Sequence, residues 1–76
     1  MMKQINLLND DKTGWNKDIK LGKAYHIKMN KVFDGDAILV DKIPDILTFY
    51  GAVGFFTANI NNIKSGLLPD TIFEME

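Results

Sequence analysis

Apolar positions along the chain fall into short runs separated by polar turn clusters, and most runs alternate with a period of two. Residues 3–8 open the series, with Ile5 and Leu7 on one parity, and end at Asn9-Asp10-Asp11-Lys12-Thr13-Gly14. Such a cluster favours a turn, because short polar side chains bond nearby backbone and glycine tolerates positive φ. Trp15 follows, then Ile19 and Leu21 resume the alternation before Gly22. Residues 24–29 are the clearest strand: Tyr25, Ile27 and Met29 alternate with Ala24, His26 and Lys28, and that spacing puts successive side chains on opposite faces. The run extends toward Val32 and Phe33, and Asp34-Gly35 predicts a tight hairpin. The return strand, residues 36–43, contains Ala37-Ile38-Leu39-Val40. It is apolar on both parities, which predicts a central strand buried on two sides.

Pro44 ends this strand, since proline cannot donate to a ladder. The short Pro44-Asp45 link predicts a hairpin into a strand at residues 46–50. Gly51 and Gly54 predict a bulge or sharp bend, and Phe55-Phe56-Thr57 a further short strand. Thr57 or Asn59 can cap one helical turn with Ile60 and Ile63 inward at i, i+3, while Asn59, Asn61 and Asn62 keep that helix short. Ser65-Gly66 and Pro69-Asp70 are turns, and residues 71–75 close as a last strand with Phe73 and Met75 on one face. The expected fold is mainly β: a small SH3-like barrel of five or six short antiparallel strands, with one helical turn near residues 57–64, as a single domain over residues 1–76. Closure also suits the size, because it removes edges that pair with other chains.

Length limits what such a domain can do. A chain of 76 residues buries roughly 60% of its unfolded surface, and its stability should be about 4–11 kcal/mol. A deep, dry cleft is hard to build on so small a core, so a binding module is expected ahead of an enzyme. The apolar fraction of 46% is enough to offset chain entropy. No run approaches the about 20 apolar residues of a membrane span. Met1-Met2-Lys3-Gln4-Ile5-Asn6 lacks the pattern of a signal peptide, and cysteine is absent. The expected location is the cytoplasm, with no membrane partner.

Charge narrows the partners. The net charge is −1, and every basic residue is a lysine. Without arginine, the bidentate contacts to guanine and phosphate are missing. Lys12, Lys17, Lys20, Lys23, Lys28 and Lys31 nevertheless cluster in the first half, where a solvated lysine-rich face is the plain reading.

No catalytic constellation emerges. His26 is the single histidine, on the outward parity of its strand, and has no nucleophile to serve. Residues 9–20 resemble a calcium loop until the twelfth position, which needs a bidentate glutamate and here is Lys20. Gly51-Ala52-Val53-Gly54 fits neither phosphate-binding glycine spacing. No cofactor and no metal site is expected. The aromatic residues hold more promise. Phe49 and Tyr50 are adjacent on a strand, as are Phe55 and Phe56, so one of each pair must face away from the core. Exposed aromatic groups mark interaction surfaces, unless residues 57–69 cover that outer face, as a long loop over a small sheet commonly does.

The order of segments resembles short uncharacterised proteins of phages and prophages of Gram-positive bacteria. The resemblance lies in the lysine-led first strand, the Asn-Asp turn, Leu21-Gly22-Lys23-Ala24-Tyr25-His26-Ile27, the acidic hairpin into Ala37-Ile38-Leu39-Val40-Asp41, and the closing Thr71-Ile72-Phe73-Glu74. It implies an SH3-like barrel with an accessory or host-interaction role, and it supplies no catalytic residues. Residues 51–69 are longer than the corresponding connection in those proteins, which makes them the place to look for function. The expected function is binding and steric blocking of a host protein, as in anti-defence inhibition, with Trp15, Tyr50, Phe55 and Phe56 as anchors. One alternative is a nucleic-acid-binding barrel with Lys17, Lys20, Lys23 and Lys28 on phosphates. Another is a homo-oligomeric sponge for a nucleotide-like signal.

Overall fold

Period-two alternation becomes six strands. A computed structural model describes residues 3–29 and 33–75. In chain order the elements are β1 (Lys3–Asn6), β2 (Ala24–Met29), β3 (Phe33–Lys42), β4 (Ile46–Gly51), β5 (Gly54–Asn59), a helical turn α1 (Ile60–Lys64) and β6 (Thr71–Glu74). All pairings are antiparallel, within one sheet ordered β1-β6-β2-β3-β4-β5. Strands β2 to β5 form a meander. The chain then crosses through α1, and β6 returns to lie between β1 and β2. The fold is mainly β with one short helix, and among the described residues no ladder joins β1 to β5.

One parity of each strand makes the core. Tyr25 and Ile27 of β2, Leu39 of β3, Leu47 and Phe49 of β4, Ala58 of β5 and Ile72 of β6 are fully buried. Leu7, Leu8, Trp15 and Ile19 join them from the long connection between β1 and β2. The Tyr25 hydroxyl accepts the Lys20 amide at 2.9 Å, so the most deeply buried polar group is satisfied. Helix α1 forms where the sequence predicts a turn. Asn59 stays extended, and its side chain accepts the Asn61 amide. Ile60 and Ile63, three positions apart, are both buried.

Two expectations give way, the Asp34-Gly35 hairpin and the double burial of β3. Asp34-Gly35 is not a hairpin turn: Asp34 pairs with Lys28 and Gly35 with Ile27 inside the β2–β3 ladder, and the chain reverses between Met29 and Phe33. Val32, to which the run was expected to extend, lies outside the described residues. A reversal at residues 34–35 would set Tyr25 and Ile27 opposite even-numbered residues of β3 and turn Ala37 and Leu39 outward, and register follows the buried face. Strand β3 is central but buried on one side only, because Ile38 and Val40 are exposed. The sharp bend expected at Gly51 and Gly54 is a two-residue turn across which they face each other; Gly54 there has φ +95°, open to glycine at little cost. In β6, Phe73 and Met75 share one face as expected, and Ile72 on the other parity faces the core.

Lys23 and Glu74 clasp the junction of β2 and β6, with Nζ donating to Oε1 at 2.8 Å. That hydrogen bond, with the attraction of the ammonium, holds the Glu74 carboxyl below its ordinary range and the Lys23 ammonium above its own. A depressed carboxylate contributes stability above its unfolded pKa, about 4.3, and loses it as the pH falls through the folded value. The raised lysine contributes in full below about 10.4 and loses its share above. Glu74→Gln should therefore lower the melting temperature at neutral pH, with the gap to the parent closing as the pH drops below 4.3. Melting curves across pH test this, and a gap that stays constant into acid rules out the ion pair as its source.

Candidate functional site

The outer face of β3, β4 and β5 carries the largest exposed apolar residues of the sheet. Because Leu39, Phe49 and Phe56 pack inward, their neighbours Ile38, Tyr50 and Phe55 project outward. The register sets these three directly opposite one another: Ile38 faces Tyr50, and Tyr50 faces Phe55. The Tyr50 and Phe55 rings touch with centroids 4.8 Å apart at 55°, a tilted geometry that suits the ring quadrupoles. Their exposures are 43% for Ile38, 49% for Tyr50 and 72% for Phe55. Val40 extends the row along β3. It sits where the register shifts between Leu39 and Asp41, and a bulge there leaves both Val40 and Asp41 outward.

The row's surroundings are polar and asymmetric in charge. Strands β4 and β5 contain no charged residue, and Thr48 and Thr57 stand side by side next to the aromatic pair. Strand β3 supplies exposed Asp34, Asp36 and Asp41. His26 lies between two of these carboxylates, with Nδ1 2.9 Å from Asp36 and Nε2 3.5 Å from Asp34, and its ring tilts against Phe73. It is therefore a surface residue held by cross-strand pairing. The result is an apolar row bordered by carboxylates.

Of the four anchors expected from sequence, the structure brings Tyr50 and Phe55 together and sends the other two inside. Trp15 is only 9% exposed, and its indole N–H donates to the Ile43 carbonyl at 2.8 Å. Phe56 stacks on Phe49 at 5.5 Å and 20° and packs against the core. A small sheet has few large groups to fill its interior, and these two rings do so. Sequence reasoning missed Ile38 and Val40, because a run apolar on both parities was read as doubly buried. Residues 51–69 also contribute more to the core than expected, through Ala58, Ile60 and Ile63.

Two of the four lysines of the nucleic-acid alternative stand beside carboxylates. Lys23 is bonded to Glu74, Lys28 stands opposite Asp34, and Lys17 and Lys20 are exposed on the connection before β2. A shallow cleft of about 530 Å³ opens beside Trp15, lined by Asp10, Asp11, Asp18, Lys17 and two asparagines. Its Asp11 carboxyl is held below the usual range by the Thr13 hydroxyl and amide, both of which donate to it. Three carboxylates against one lysine make it a poor receptor for a phosphate. Among the described residues no cluster of three His, Asp or Glu side chains is arranged to hold a metal, and no helix is long and apolar enough to cross a membrane. Comparison with family models, with curated proteins and with solved structures finds no match for the chain.

Proposed function

We propose that this chain is a small binding module that docks on a protein partner through the outer face of β3–β5 and blocks the surface it covers. The observation that carries this is the Ile38–Tyr50–Phe55 row: three large apolar side chains in one register on three adjacent strands, all exposed. A solvated sheet face normally alternates apolar-in with polar-out, so an aromatic and aliphatic row on the wet side is a departure that burial of the core does not require. Tyrosine and phenylalanine bury large areas while fixing few rotatable bonds, which suits them to be anchors. The carboxylates of Asp36 and Asp41 at the margin favour a partner whose apolar surface is flanked by basic groups. The resemblance to phage and prophage proteins supports reading that partner as a host protein and the mechanism as steric occlusion.

The test pairs Tyr50→Ser with Phe55→Ser in one variant. Both side chains are exposed, so the variant should stay folded, with a melting temperature lowered by about 10 °C at most. Loss of two central anchors should weaken partner affinity by at least about 30-fold, the equivalent of 2 kcal/mol. The measurement is affinity capture from host lysate by parent and variant, followed by titration of the captured protein. A partner retained equally by the variant, or no stoichiometric partner for the parent, overturns the reading.

A further inference from the structure

The two edges of the sheet are built differently. Strand β1 is four residues long and carries Lys3. Strand β5 is six residues, Gly-Phe-Phe-Thr-Ala-Asn, with no charge and no proline. Natural edge strands are usually short, charged, bulged or covered, because an open row of N–H and C=O groups recruits other strands. Among the described residues, none of these protections is present on β5. Its pairing with β4 runs without a register shift over its whole length.

The hydrogen-bond alternation says which groups are open. Ile43 and Ile46 exchange both backbone bonds across the Pro44-Asp45 turn, so Ile46, Thr48 and Tyr50 point their backbone groups toward β3. Leu47, Phe49 and Gly51 then point theirs toward β5, where they meet Ala58, Phe56 and Gly54. That leaves Phe55 and Thr57 with backbone N–H and C=O directed to the free edge. The groups of Asn59, next in the series, run into the α1 cap.

We infer that β5 is a self-association edge, at which two copies of this chain join β5 to β5 in antiparallel register about a two-fold axis beside Phe56. Phe55 of each copy then lies opposite Thr57 of the other. Because these are the residues whose backbone groups face the edge, each such pair exchanges both of its N–H···O=C bonds. The edge demands an uncharged extended strand of matching length, and β5 itself meets that demand. Two copies meet there without like-charge repulsion, and a two-fold contact of this kind closes on itself instead of growing into a fibre. The two outer faces come to lie on the same side of one continuous sheet. Each Phe55 packs beside the other copy's Thr57, and the Ile38–Tyr50–Phe55 row is doubled.

Sedimentation equilibrium of the full chain tests this, with amide hydrogen exchange read by NMR on the same samples. The parent should sediment at twice the monomer mass at ~100 μM and dissociate on dilution. The Phe55 and Thr57 amides should become protected as concentration rises, while those of the β1 edge do not. Thr57→Pro removes a donor that the monomer leaves open at the edge, and should give a folded monomer. Phe55→Lys places like charges across the axis and should do the same. A parent that stays monomeric overturns the inference, and so does a dimer whose Phe55 and Thr57 amides exchange freely. Persistence of the dimer in either folded variant also overturns it. Ile38→Ser, two strands from the edge, should weaken partner docking and leave self-association intact, so the two proposals fail separately.

Discussion

Phe49→Ala should bring the chain to the brink of unfolding at room temperature. The ring is fully buried, stacked on Phe56, and flanked in register by Leu39 on one side and Phe56 on the other. It therefore ties three strands together at the middle of the meander. Truncating a buried phenylalanine costs about 3–5 kcal/mol, from lost transfer energy and the cavity left behind. Against a total of about 4–11 kcal/mol for a chain of this length, that is between a quarter and all of the stability. The melting temperature should fall by roughly 12–40 °C, since each kcal/mol shifts a domain this small by about 4–8 °C. The adjacent residue is the control. Tyr50→Ala removes a ring of similar size from the solvated face and should cost less than about 1 kcal/mol, because half of that ring never leaves water. Urea denaturation of the two variants measures both costs. Equal losses would mean that the inward and outward faces of β4 are misassigned.

That contrast between neighbours also explains how much of the molecule the sequence made legible. Where alternation was strict, as in β2, strand bounds and inward residues follow from the pattern alone, because only one register buries the apolar set. The α1 turn was legible for a different reason: Asn59 and the Ile60/Ile63 spacing are local signals that need no distant partner. Strand β3 was ambiguous because Ala37-Ile38-Leu39-Val40 offers an apolar residue to either face. With no local preference for parity, the Asp34-Gly35 dipeptide looked like the better turn, and only pairing with β2 and β4 decides otherwise. The candidate site was half legible for the same reason. Adjacent aromatics announce that one of each pair faces out, but which one depends on the register of three strands. Tyr50, Phe55 and Phe56 were all candidates; the register leaves the first two outward and packs Phe56 against the core, and Ile38 was hidden inside a run that read as core.

Trp15 shows the limit most clearly, and it supplies the second large effect. A tryptophan just after a polar turn reads as exposed, yet here it fastens the long connection between β1 and β2 to the far end of the β3–β4 hairpin. Its N–H reaches the Ile43 carbonyl, its backbone bridges to Leu8, and nearby Lys42 sends its ammonium to the Ile19 carbonyl at 2.8 Å. Trp15→Ala should cost about 3–5 kcal/mol, as expected for emptying a large buried site. Trp15→Phe keeps most of the apolar volume and forfeits the indole donor, so it should cost nearer 1 kcal/mol. The difference between the two variants separates packing from hydrogen bonding. The parent carries its own reporter, because Trp15 is the single tryptophan. Its emission should be that of a shielded indole in the native state and shift to the red in the same urea transition that abolishes the strand signal in circular dichroism. Emission already characteristic of solvated indole in the native protein would return Trp15 to the surface, and with it to the set of partner-binding anchors.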